Sequence, residues 1–183
     1  MKTIKVLAIC GSLRRASRNL KLLQYAQAHA PEGMSIDIAD LSAVPFYNMD
    51  LADKPAAVQT LIAQITAADA LLFGCAEYNY SIAPPLKNAL DWASREPENR
   101  ALAGKPVALM GAGGGMGTSR AQYHLRQVCV FLDLHVLNKP EVFANAFSPS
   151  FDADGNLTDP ALQGLIVAQL GALQALAQKL GAR

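Results

Sequence analysis

Charge is scarce and evenly split in this chain. Of its 183 residues 17% are Asp, Glu, Lys or Arg, and sixteen basic against fifteen acidic side chains leave a formal charge of +1. No single-sign field is available to hold a polyanion by bulk electrostatics, so neither nucleic acid nor an anionic membrane is an expected partner. Cysteine is nearly as rare. Cys10, Cys75 and Cys129 lie far apart with no CxxC pair, which excludes a disulfide scaffold and a zinc knuckle and fits a reducing compartment. No apolar run approaches the ~20 residues of a membrane span. The stretch Val6–Cys10 is too short for a secretion signal and runs straight into Gly11, Ser12 and several arginines. A soluble, cytoplasmic protein is expected. His29, His124 and His135 are scattered without metal or triad spacing and read as structural or surface residues. Neither a GxSxG elbow nor a GxxxxGK[ST] loop occurs. No repeat or linker divides the chain, and with 51% apolar residues it reads as one domain over 1–183.

What is present is an alternation of buried strands and amphipathic helices. Ile4 to Cys10, Asp69 to Cys75 and Lys105 to Met110 are continuous apolar runs of the kind a strand covered on both faces shows, whereas Met34 to Ala39 alternates like a strand nearer an edge. A fifth strand is expected around Leu134 to Leu137. Helical spacing places Leu20, Leu23, Gln24 and Gln27 on one face. It does the same for Val58, Leu61, Ile62 and Ile65, and for Leu86, Ala89, Leu90 and Ala93. A last helix runs from about Pro160 to Leu180, with Thr158 as its expected cap. Five βα units predict a parallel sheet with helices on both faces. Leu41–Pro55 and Asn138–Asn156 are expected as long irregular loops with a functional or interface role.

In such a sheet ligands bind beyond the carboxyl ends of the strands. After the first strand, Gly11 to Asn19 brings the Ser12 and Ser17 hydroxyls, the Asn19 amide and free backbone N–H groups to a helix N-terminus, a phosphate cradle in character. After the third, Tyr78, Asn79 and Tyr80 offer flat surface and amide groups to a planar heterocycle. After the fourth, Gly111 to Gly117 lets backbone lie against a ligand. Aligned from Gly111, the third glycine of a GxGxxG fingerprint falls on Met116, so a nicotinamide-only dehydrogenase fails on spacing. Lys87, Asp91 and Arg95 read as an ordinary ion-pair ladder, and Cys10 and Cys75 as small core residues.

Together these turns resemble those of the NAD(P)H-dependent FMN reductases of flavodoxin-like fold, in the branch that includes chromate and quinone reductases and azoreductases. The resemblance spans nearly the whole chain. It implies a three-layer α/β/α sandwich with a five-stranded parallel sheet in the order 2-1-3-4-5, and a non-covalent FMN. The FMN would be held by Ser12, Leu13, Arg14, Ser17, Asn19 and Leu20 at the phosphate end, and by Glu77, Tyr78, Asn79, Ser81, Gly113, Gly114, Gly115 and Gly117 around the ring. It further implies hydride transfer from NADH or NADPH to FMN and onward, by a ping-pong mechanism, to quinones, azo dyes, free flavins or chromate, with no catalytic side chain. A homodimer or homotetramer is also implied, with Arg120, Tyr123 and Glu141 placed for cross-subunit hydrogen bonds. Ala76 stands where the family usually has Pro. A flavodoxin-type electron carrier is the alternative, disfavoured because such carriers are strongly acidic.

Overall fold

A computed structural model describes residues 3–51, 53–147 and 149–181; Ala52 and Ser148, each inside one of the two expected loops, lie outside the described residues. The elements run β1 (Ile4–Cys10), α1 (Arg18–Ala28), β2 (Met34–Ile38), α2 (Ala56–Ala67), β3 (Ala70–Gly74), β4 (Glu77–Tyr78), β5 (Ser81–Ile82), α3 (Pro84–Ala93), β6 (Pro106–Gly113), α4 (Ser119–Phe131), β7 (His135–Val136), β8 (Val142–Asn145) and α5 (Pro160–Gly181). The main sheet is parallel in the order β2-β1-β3-β6, and both β7 and β8 pair with β6. The pairs Pro106–His135 and Met110–Val142 put β7 and β8 end to end along β6, so they are two halves of one fifth strand. The expected order therefore holds, with a correction. The segment from Asn138 is not wholly irregular, because Val142–Asn145 returns to the sheet.

Alternation within each strand builds two cores. Leu7, Ile9, Leu71 and Phe73 face α2, α3 and α4, while Val6, Ala8, Ala70 and Leu72 face α1 and α5. The helical faces of α2 and α3 are those the periodicity predicts, but α1 buries Asn19, Leu22, Leu23 and Ala26, leaving Gln24 and Gln27 outside. Asp159, not Thr158, caps α5: its Oδ1 accepts the Ala161 and Leu162 N–H groups at 2.9 and 3.3 Å. Among the described residues α5 is the one helix long and apolar enough to cross a membrane by length and composition, so the expectation that nothing approaches such a span is amended. Its Ile166, Leu170 and Leu173 are fully buried in the α1-side core.

The break in the fifth strand is closed by side chains. Gln169 of α5 donates to the Leu109 and Pro140 carbonyls at 2.9 and 2.8 Å, and Gln122 of α4 donates to the Val142 carbonyl at 3.0 Å. Both glutamines are 1% exposed, and the Leu109 and Val142 oxygens they satisfy belong to fully buried residues.

The thiols of Cys75 and Cys129 are pushed up to about 12, in each case chiefly by burial, from an ordinary value of 9.0. Below pH 9 both states of the chain hold these protons. Above it the unfolded chain sheds protons that the native state retains, so stability is lost as pH rises toward 12, by up to about 1.4 kcal/mol per pH unit for each thiol. Lys105, lowered by burial from 10.5, works in the opposite sense below that value. Urea midpoints measured from pH 8 upward are expected to fall, and the Cys75→Ala/Cys129→Ala variant to fall less steeply. Equal slopes would count against burial of the thiols.

Candidate functional site

Three turns leave the carboxyl ends of β1, β3 and β6, and each is tied to the other two. The Gly11 N–H donates to the Gly74 carbonyl at 2.8 Å, joining the first to the second. Asn19 joins the first to the third: its Nδ2 donates to the Ala112 carbonyl at 3.0 Å and its Oδ1 accepts the Ala112 N–H at 2.8 Å. Glu77 joins the second to the third. Its Oε1 lies 2.7 Å from an Arg120 nitrogen, and its Oε2 accepts the Ala121 N–H at 3.1 Å.

In the first turn Ser17 caps α1, its hydroxyl accepting the Leu20 N–H at 3.2 Å. The first-turn amides of Arg18 and Asn19 have no intrahelical acceptor by position and point out of the same helix end. Ser12 is 9% and Ser17 3% exposed, while Leu13, Arg14 and Arg15 are exposed. The Asn19 side chain, expected to bind phosphate, instead spends both ends of its amide on Ala112 and works as a brace. Arg18 is held over the Phe151 ring at 5.3 Å, and Leu20 lines a cavity of about 210 Å³ beside Ser12 and Arg14.

The second turn is a hairpin, β4–β5, which the sequence pattern did not reveal. Asn79 and Tyr80, at φ 50° and 65°, supply the left-handed pair that a two-residue turn demands, and Asn tolerates that region well. Tyr78 and Tyr80 stand out at 50% and 67% exposure. Arg120 lies 3.8 Å from the Tyr80 ring centroid while pairing with Glu77, and Ser81 Oγ is 3.1 Å from His124 Nδ1. Arg120 thus has a partner within its own chain, and so do Tyr123 and Glu141, 3.1 Å apart. Of the expected Lys87–Asp91–Arg95 ladder only the first pair forms, at 2.7 Å; Arg95 bonds Ser94 instead. Ala76 keeps an N–H that donates to the Gly74 carbonyl at 3.2 Å, a bond proline would lack.

In the third turn β6 extends to Gly113 because β8 pairs with it, so the free loop starts at Gly114. Gly113 and Gly117 serve packing: a Cβ on Gly113 would strike the Gly117 carbonyl, and Gly117, at φ 58°, abuts Phe143. Gly114 and Gly115 have nothing within 4 Å of a would-be Cβ, which leaves their faces open to a flat ligand. A larger cavity, of about 810 Å³, lies at the opposite end of the sheet around Lys105. There the Lys105 ammonium is already engaged by the Thr66 and Ala68 carbonyls at the end of α2.

These residues fit FMN. Hydroxyls, helix-end amides and arginines suit an anionic phosphate, and a glycine face beside two tyrosines suits a planar ring. A β2-β1-β3-β6 parallel sheet with such turns defines the flavodoxin-like class of mononucleotide-binding proteins. The chain belongs to the NADPH-dependent FMN reductase family, whose model matches residues 4–148. It is 54% identical over 180 residues to an NAD(P)H-dependent FMN reductase of Pseudomonas aeruginosa, covering 97% of each chain. It is also 51% identical over 185 residues to an NAD(P)H:quinone oxidoreductase of Solanum tuberosum, covering 97% of this chain and 94% of that one. The solved NAD(P)H:(acceptor) oxidoreductase FerB of Paracoccus denitrificans superposes with a TM-score of 0.83 at 32% identity, covering 94% of this chain and 98% of its own. Membership makes the protein an oxidoreductase that works with FMN and NAD(P)H.

Proposed function

We propose that the chain passes hydride from NADH or NADPH to quinones by a ping-pong mechanism, through FMN held across the three turns. When bound, FMN supplies the two-electron hydride relay. The observation that carries this reading is the mutual bracing of the turns by Gly11–Gly74, Asn19–Ala112 and Glu77–Arg120, which fixes a phosphate-type helix end and an open glycine face as one unit. Ser12, Arg14, Ser17 and the amides of Arg18 and Asn19 bind the phosphate. Leu13 and Leu20 border it. The hairpin Glu77–Ser81 orients the ring, and Gly114–Gly115 amides face its electron-rich edge. Glu77 acts through Arg120 and Ala121, as a positioning residue. Azo compounds, free flavin and chromate are further acceptors of the same open site. A homodimer or homotetramer is supported by Val130 and Phe131 of α4, 80% and 78% exposed.

Purified protein is expected to be yellow and to bleach on NADH or NADPH under nitrogen, with parallel double-reciprocal lines when a quinone is varied. A colourless protein that takes up no added FMN, or intersecting lines, would count against the reading. Arg14→Ala is expected to weaken FMN by about 1.5–3 kcal/mol, the range of a charge-assisted hydrogen bond, read as flavin lost on dialysis. Full retention would leave Arg15 or the helix-end amides as the anchor.

A further inference from the structure

The connection from β2 to α2 is irregular, yet its middle is fixed to α3 by side chains. The Tyr47 N–H donates to Asn88 Oδ1 at 2.7 Å, Asn88 Nδ2 donates to the Pro45 carbonyl at 2.9 Å, and Trp92 Nε1 donates to that same carbonyl at 2.8 Å. The Tyr47 and Trp92 rings meet edge to face at 5.0 Å, and Lys54 pairs with Glu96 further along. Three bonds to two neighbouring residues are more than a surface connection needs. They hold Val44, Pro45 and Phe46 out beside the first turn, with Phe46 79% exposed.

Between this strap, the first turn and the start of α3 lies a cleft of about 270 Å³. Its walls are apolar, Leu13, Val44, Phe46, Pro84 and Pro85 among them, and its one polar lining residue is Asn88. The Asn88 Nδ2 has two hydrogens; one goes to Pro45, and the other has no partner among the described residues. The cleft meets the candidate FMN site at Leu13, which lies in the first turn, and at Pro84, just past the hairpin. A chromate dianion entering it would lose hydration without meeting a cation, since no charged side chain lines it. A volume at the low end of ligand pockets takes one or two fused rings.

We propose that this cleft is the acceptor subsite, seating the apolar ring of a neutral quinone with the spare Asn88 N–H toward a carbonyl oxygen and Phe46 as the contact that sets affinity. The inference rests on the function proposed above and narrows its acceptor class to neutral ring compounds, so chromate drops out of the acceptors named there. Atoms balance as NAD(P)H plus a proton plus quinone giving NAD(P)+ plus hydroquinone, both electrons and one hydrogen coming from the nicotinamide and the second proton from solvent.

The test uses the full-length flavin-loaded protein, 2-methyl-1,4-naphthoquinone and, as a hydrophilic comparison, ferricyanide. Phe46→Ala removes an exposed ring and leaves the fold's contacts in place; Phe46→Leu restores apolar area. The alanine variant is expected to raise the quinone KM about tenfold relative to the ferricyanide KM, as loss of part of a phenyl contact implies, and the leucine variant to recover most of it. An independent readout is Trp92, the chain's single tryptophan, wired to the strap through Pro45. Its quenching by the naphthoquinone should shift to higher quinone concentration in Phe46→Ala by the same factor. If quinone KM and quenching are unchanged, or quinone and ferricyanide KM rise together, while NAD(P)H still bleaches the protein, the cleft is not the acceptor subsite and the proposed function stands. Failure of wild-type protein to bleach would overturn that function itself.

Discussion

Gly111→Ala is expected to lower the unfolding free energy by about 3 kcal/mol and the thermal midpoint by roughly 10 °C, whether or not FMN is bound. Gly111 lies in β6, an interior strand flanked by β3 and β8, and a Cβ there would run into the Cys75 carbonyl and Thr118 Oγ1. The carbonyl is backbone and cannot turn away. Thr118 is fully buried, and its hydroxyl accepts the Gln122 Nε2 at 3.0 Å. Moving Thr118 would free an amide hydrogen of Gln122, whose Oε1 already has no partner. Overpacking and a lost buried hydrogen bond therefore add. Gly115→Ala is the contrast. Nothing lies within 4 Å of its would-be Cβ, so the midpoint should stay within about 2 °C while flavin retention falls, because the methyl group occupies the face offered to the ring. Differential scanning fluorimetry with and without added FMN separates the two. Equal midpoints for wild type and Gly111→Ala would show that the β6–α4 junction can relax.

Much of the sheet is readable from the chain because strands buried on both faces carry an unbroken apolar run, as Ala70–Gly74 does, and because helical spacing marks α2 and α3. The second half of the fifth strand is not. Val142–Asn145 is four residues long, and the gap before it is bridged by Gln122 and Gln169 from two helices, which no local pattern reports. A trace was visible in α5, where Gln169 sits on the same face as Ile166 and Leu173; a polar residue on a core stripe asks for a buried partner. The candidate site divides in the same way. Residue types after strands announce a ligand end, but the work of individual side chains depends on partners far along the chain. Glu77 reads as a ring contact until Arg120, 43 residues on, is seen against it, whereas His124, read as a structural or surface residue, is indeed exposed, with Ser81 Oγ beside its ring. Likewise, Gly113 and Gly117 look like ligand-facing glycines although their lack of a side chain is required by each other and by Phe143.

Asn19 is where fold and site meet most closely, and Asn19→Asp is expected to damage both. The residue is 6% exposed, and its amide satisfies the N–H and the C=O of Ala112 together. A carboxylate keeps the acceptor toward the Ala112 N–H but sets a second oxygen, with negative charge, against the Ala112 carbonyl. One buried hydrogen bond becomes a repulsion, at a cost of about 3 kcal/mol at neutral pH. Protonating the new carboxyl restores a donor to that carbonyl, so its native pKa lies above its unfolded value. Its stabilising contribution is present below the unfolded value and lost as pH rises through the native one. The variant should thus sit closer to wild type in urea at pH 4 than at pH 8. At pH 8 the buried charge also lies in the helix end assigned to the phosphate, and the brace between the first and third turns is broken, so FMN should dissociate on dialysis. A variant that keeps its flavin and lies within 1 kcal/mol of wild type at pH 8, on the ~3 kcal/mol scale expected, would show that the turns hold their arrangement without Asn19.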